Sequence, residues 1–327
     1  MGSGELNDAI KHGEIEVNGV RLHYAEQGEG PLVLLLHGFP ESWYSWRHQF
    51  APLAEAGYRV VAPDQRGFAR SDRPERVDQY SLLHLVGDVT ALIGALGEER
   101  AVVVGHDWGA PVAWATAALR PDLVRAVAGL SVPPLPVGGP PPLEAARAAF
   151  GEGYYQVYFQ EPGRADAELA ADVRTSLRRI LSAKSPDGTP RVWIVPEGQG
   201  LLDSLPEPER LPDWLTEADL DAFEADYAPH GEKAFTGGLN WYRNLDRNAE
   251  LLAAFTGVTV DVPALFVVGE QDLVNAMVPR PVLDHLLSRV PRLHGHVRLP
   301  ETGHWTQQER PAEVNAALLD FLAHLDK

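Results

Sequence analysis

Cysteine is absent from the 327 residues, and with it every disulfide, thiolate nucleophile and cysteine-ligated metal. Lysine is scarce, limited to Lys11, Lys184, Lys233 and Lys327, so the positive charge is almost all arginine. Acidic residues outnumber basic ones 46 to 28, a formal charge of −18 spread along the chain rather than gathered in a tail. Such a surface repels polyanions, and neither nucleic acid nor an anionic membrane is expected as a partner. Long apolar runs are missing too: Pro31 to Leu36 and Ala101 to Gly105 fall far short of the roughly 20 residues that span a bilayer and read as buried strands. The opening MGSGELNDAIKHGE has no apolar stretch of secretory-signal length, so a cytoplasmic location is expected. What is present is an ordinary globular balance, 45% apolar and 23% charged, in a chain long enough for one or two domains and a sizeable core.

From residue 14 to about 132, short β-branched or leucine-rich runs alternate with helix-like segments, the pattern of a parallel sheet covered on both faces. Strands are predicted at Glu14 to Val20 and Arg21 to Glu26, forming a hairpin, then at Leu32 to Leu36, Arg59 to Ala62, Ala101 to Val104 and Val124 to Leu130. Two more follow at Ala264 to Val268 and His296 to Leu299. Between these blocks the string PPLPVGGPPP, six prolines in ten residues, excludes regular structure and marks a boundary. Helices are predicted beyond it at Asp166 to Leu181, Thr216 to Asp226 and about Leu239 to Phe255, the second opened by a Thr216/Asp219 capping box. The expectation is a mostly parallel α/β core, residues 1–132 and 249–327, with an inserted helical lid, residues 133–248.

The richest string is VVVGHDWGAPVAW, in which an apolar strand meets a helix through Gly105, His106, Asp107, Trp108 and Gly109. A strand-to-helix turn this sharp needs glycines two residues either side of its apex, because side chains there would strike neighbouring backbone. The apex is usually serine. Here it is Asp107, and a carboxylate is already ionised near neutral pH, so it attacks saturated carbon to form an alkyl ester without prior loss of a proton. The helix N-terminus behind it favours that anion.

Two further groups sit where predicted strands end. ALFVVGEQDLV places Asp272 in one such loop and VRLPETGHWTQQERP places His304 in another. Each alone would read as a turn or loop residue; nucleophile, acid and histidine in the order 107, 272, 304 read as a triad on one sheet edge. In LLLHGFPESWYSWRHQ a glycine-containing turn follows a core strand, so the Phe39 and Trp108 amides can form an oxyanion hole. His37 and His106 are expected to be structural, bonding nearby backbone. Phe39, Trp46, Trp108, Trp193, Trp241 and Trp305 are candidates to line an apolar pocket, most of them ordinary core, and Arg174 to Arg179 is expected to be a solvated helix face. Nothing in the residues chooses among Tyr154, Tyr155, Tyr158, Tyr227 and Tyr242.

The strings HGFPESWYSWR, DQRGFARSD, GHDWGAPVAW, YYQVYFQEPG, GGLNWYRN and GHWTQQERP resemble the α/β-hydrolase-fold epoxide hydrolases, in that family's order and over nearly the whole chain. The resemblance implies that two lid tyrosines, Tyr155 and Tyr242, hold the epoxide oxygen. It further implies that Asp107 is the nucleophile, Asp272 and His304 the acid and base, and Phe39 and Trp108 the oxyanion and substrate contacts. The expected reactants are a small apolar epoxide and water, with no metal or organic cofactor, in a monomer or homodimer. A haloalkane dehalogenase also uses an Asp followed by Trp, but commonly carries Asn where Phe39 stands. A fluoroacetate dehalogenase places Arg at Trp108, and a carboxylesterase needs a serine at the apex. A non-catalytic ligand-binding protein of the same fold would be expected to have lost competent residues that are all present here.

Overall fold

The wholly buried run Leu32–Leu36 lies at the centre of the molecule, its side chains alternating between two cores as a strand requires. Leu32, Leu34 and Leu36 join Val61 and Val103 on one face; Val33 and Leu35 join Val60, Val102 and Val104 on the other. The computed structural model describes residues 10–134, 140–183, 188–205 and 207–325, so residues 135–139 of the proline-rich string lie outside the described residues. Among the described residues, eight strands form one sheet: β1 (Lys11–Val17), β2 (Val20–Gln27), β3 (Leu32–Leu36), β4 (Arg59–Pro63), β5 (Ala101–His106), β6 (Val124–Leu130), β7 (Ala264–Gly269) and β8 (Leu293–Leu299). Their spatial order is β1-β2-β4-β3-β5-β6-β7-β8, antiparallel at β1/β2 and β2/β4 and parallel elsewhere. This is the α/β-hydrolase arrangement. Because β3 to β8 run the same way, the loops after β3, β5, β6, β7 and β8 gather at one edge.

Several boundaries differ from the sequence expectation. The first strand ends at Val17 rather than Val20, because Asn18 and Gly19 both take left-handed φ, 48° and 75°, and close a two-residue hairpin turn. β8 begins at Leu293, paired with Ala264. Asp172, with φ −147°, leaves the helical conformation and caps the Thr175 amide, so one expected helix becomes Arg164–Ala171 and Val173–Leu181. The stretch expected as one helix from Leu239 divides into Thr236–Tyr242, Leu245–Leu252 and a 3₁₀ turn at Ala253–Phe255. The last proline of PPLPVGGPPP opens the helix Pro142–Phe150, a first-turn position where a missing N–H costs nothing. The Thr216/Asp219 capping box forms on Glu217–Tyr227.

The helices from Pro142 to Phe255 come between β6 and β7 and dock on the loops at the strand ends. The Tyr227 hydroxyl donates to Glu41 O at 2.7 Å and the Trp241 indole to Arg66 O at 3.1 Å. Arg174 is partly exposed, on a solvated face as expected, and its pairs with exposed Glu217, Asp221 and Glu224 tie two helices together. No helix among the described residues is long and apolar enough to cross a membrane.

Candidate active site

Asp107 follows β5 directly, with φ of +50°, a conformation a non-glycine residue adopts when its surroundings hold it there. A Cβ on Gly105 would lie 2.1 Å from Gly109 O, and one on Gly109 would lie 2.1 Å from Leu36 O. The strand and the helix Gly109–Leu119 therefore approach as closely as they do because both positions lack side chains. Trp108 opens that helix, so its amide is among the donors a helix leaves without an internal partner. From the loop after β3, the Phe39 amide donates to Asp107 Oδ1 at 2.8 Å.

The loops after β7 and β8 bring in the remaining groups. His304 Nε2 stands 3.2 Å from Asp107 Oδ2, and its Nδ1 stands 2.9 Å from Asp272 Oδ1. Asp272 is fully buried and also accepts the Val274 amide at 2.9 Å. Burial opposes a charge on His304, but the Asp272 carboxylate, followed by the Asp107 hydrogen bond, holds its pKa well above the ordinary histidine value. Burial is the largest influence on Asp107 and opposes its charge, but the hydrogen bond and charge of His304 together with the Phe39 amide outweigh it, leaving that pKa below the usual carboxylate value. Both directions favour imidazolium and carboxylate as the form of the pair.

His37 and His106 hold backbone, as expected. His37 Nδ1 lies 2.9 Å from Gly38 O, and its Nε2 lies 3.0 Å from the Gln65 amide. His106 Nε2 donates to the carbonyl of His304 at 2.8 Å, an oxygen that also receives the Ser131 hydroxyl at 2.8 Å. Its Nδ1 lies 3.0 Å from Glu41 Oε2, while the Gln308 amide donates to Glu41 Oε1 at 2.8 Å. Glu41 and Ser131 were not singled out from the sequence. Glu41 lies inside HGFPESWYSWR, but no local pattern marks a glutamate as wholly buried.

Tyr155 begins the short helix Tyr155–Tyr158 and Tyr242 ends the helix Thr236–Tyr242. Their ring centroids are 6.0 Å apart, and the Tyr242 ring meets Trp108 edge-on at 5.0 Å. Gln156 Nε2 donates to the Tyr155 hydroxyl at 3.0 Å, leaving the phenol's own proton for a ligand. Burial raises both phenols above the ordinary tyrosine pKa, and the nearby Asp107 charge adds to the rise, so both are neutral donors at physiological pH. The hydroxyls of the other three tyrosines have protein partners: Tyr154, packed edge-on against Tyr155, donates to Met277 Sδ, Tyr158 to Glu168 and Tyr227 to Glu41 O.

Of the aromatic candidates, Phe39 packs against Phe68, Phe159, Phe235 and Tyr242. Trp46 is excluded from the site, being fully buried in the opposite core beside Phe50 and Leu53. Trp241 is fully buried against Phe68. Trp193 and Trp305 line a cavity of about 470 Å³ that reaches His304, with Leu181, Val192 and Trp214 among its walls. Trp193 also backs Tyr155, ring to ring at 5.4 Å. Among the described residues, one group has metal-ligand character, His294, Asp320 and His324; it lies on β8 and the helix Pro311–Leu325, outside this site.

Residues 31–311 match a family model described as the alpha/beta hydrolase fold. The chain is 46% identical to epoxide hydrolase A of Mycobacterium tuberculosis, over 95% of this chain and 97% of that protein. It is 40% identical to epoxide hydrolase 3 of Siraitia grosvenorii, over 96% and 99%. The crystal structure of epoxide hydrolase A from Mycobacterium thermoresistibile superposes with a TM-score of 0.89 at 48% identity, covering 96% of this chain and 98% of that one. An epoxide hydrolase of Vigna radiata superposes with a TM-score of 0.91 at 40% identity, covering 99% and 100%.

Proposed function

Because the chain belongs to the α/β-hydrolase-fold epoxide hydrolases and adds water to epoxides, we propose that the addition runs through a hydroxyalkyl ester on Asp107. Asp107 Oδ2 attacks one ring carbon, the ring C–O bond breaks, and one of Tyr155 and Tyr242 passes its proton to the departing oxygen while the other donates a hydrogen bond. Esterification removes the Asp107 charge that helps support the His304 imidazolium, whose proton is then released to restore the phenol. Neutral His304, still oriented by Asp272, takes a proton from water as that water attacks the ester carbonyl. The developing oxyanion lies at the Phe39 and Trp108 amides. Collapse expels the alkoxide, which collects the proton of the new carboxylic acid. A vicinal diol leaves, and Asp107 and His304 return to their ion-paired form.

The helices between β6 and β7 serve as the lid in this scheme, since they carry both phenols, and the aromatic surroundings fit an apolar substrate. The observation that carries the reading is the chain Phe39 N–H, Asp107, His304, Asp272, linked at 2.8, 3.2 and 2.9 Å beside two buried phenols. A His304→Gln variant tests it, because that variant forms the ester and hydrolyses it slowly. Exposed separately to mixed epoxides and mixed haloalkanes, it should gain the mass of a whole epoxide on the peptide containing Asp107. An alkyl gain from haloalkanes alone would contradict the reading.

A further inference from the structure

The strings YYQVYFQEPG and GGLNWYRN contain polar residues besides Tyr155 and Tyr242, and those residues meet across the two helices that bear these tyrosines. A helix leaves its last carbonyls without internal partners. Two such carbonyls, one from each helix, are satisfied here by a single side-chain amide: Gln160 Nε2 donates to Gln156 O at 2.7 Å and to Tyr242 O at 3.0 Å. A second tie runs the opposite way. Arg243, immediately after Tyr242, donates from Nε to Phe159 O at 3.1 Å, and its guanidinium is fixed by Asp166 and by Asn240 Oδ1 at 2.9 Å. The Arg243 side chain is 5% exposed, so its geometry is set by these partners rather than by water. Between the two ties lies Phe159, fully buried, its ring 5.6 Å from that of Tyr155 and 5.0 Å from that of Tyr242.

We propose that Gln160 and Arg243 are positioning residues that set the spacing of the Tyr155 and Tyr242 hydroxyls at the epoxide oxygen, and so govern ring opening rather than ester hydrolysis. The inference rests on the phenol roles given above. Two donors serve one developing alkoxide only if both reach it at hydrogen-bond distance, and a displacement of about 1 Å costs on the order of 100-fold in rate. Tyr155 and Tyr242 stand on separate helices, so no local backbone geometry fixes their separation; the Gln160 and Arg243 bridges do. The hydrolytic half of the reaction uses Phe39, Asp272 and His304, and the His304 loop is held by His106 and Ser131 instead.

The test separates the two half-reactions by rapid chemical quench under single-turnover conditions with styrene oxide. Gln160→Met keeps length and bulk while removing both donors, and Arg243→Lys keeps charge while removing the planar fork. Ester formation should slow about 10- to 100-fold in each, with ester hydrolysis within about twofold of the parent. Equal loss in both steps, loss confined to hydrolysis, or no loss at all would overturn the proposal. Should Gln160→Met fail to fold, Arg243→Lys gives the same readout. Tyr155→Phe and Tyr242→Phe are run alongside. If neither slows ester formation, the phenol roles and the bridge fall together; if they do and the bridge variants do not, the bridge alone fails.

Discussion

His304 presents Nδ1 to Asp272 Oδ1 at 2.9 Å while its other nitrogen faces Asp107, so a fully buried carboxylate determines which ring nitrogen is turned towards Asp107. Asp272→Asn preserves the shape but withdraws the charge that supports the imidazolium during ester hydrolysis. Ester hydrolysis should then fall by about 10² to 10⁴, with ring opening much less affected. Intact-protein mass spectrometry during turnover should find the alkylated enzyme accumulating. An enzyme that stays unmodified while turning over slowly would contradict this.

The His106–Glu41 pair is wholly buried, and both side chains lie at 0% exposure. His106→Leu removes the imidazole from Glu41 Oε2, which keeps the Gly38 amide at 3.2 Å, and leaves the His304 carbonyl with one of its two donors. The expected loss is about 1–3 kcal/mol in urea unfolding, typical of taking one partner from a buried polar group. Adding Glu41→Gln should restore part of it, because an amide can donate as well as accept. A single variant as stable as the parent would refute this account.

The ion pair at the centre of the site also predicts a pH dependence of stability. The folded-state pKa of His304 is raised, so its contribution is fully present below about 6.5, the unfolded value, and is lost as pH rises through the higher folded value. The folded-state pKa of Asp107 is lowered, so its contribution is present above its unfolded value of 3.8 and is lost as pH falls through the lower folded value. Urea midpoints of the parent and of His304→Gln should therefore differ most in the mildly acidic range and converge as the solution becomes alkaline. A gap that widens with rising pH would show that the sign is wrong.

The central strands, the turn at Asp107 and the gathering of residues 107, 272 and 304 were legible in the sequence because each depends on a short contiguous pattern. Continuous apolar runs mark strands buried on both faces, glycines at 105 and 109 mark a close backbone approach, and parallel strands must end on one edge. The choice of Tyr155 and Tyr242 came from resemblance alone, and the hydroxyl partners of Tyr154, Tyr158 and Tyr227 supply a physical reason that no spacing contained. Equally unreadable were the break at Asp172, the burial of Glu41 behind His106, and the meeting of Gln160 with Tyr242 across 82 positions. Backbone stereochemistry and the alternation of apolar side chains act between neighbours, so the sequence by itself determined the sheet and the elbow. Contacts between helices far apart in the chain depend on how whole surfaces pack, and tertiary structure alone decided which polar groups were left to satisfy one another there.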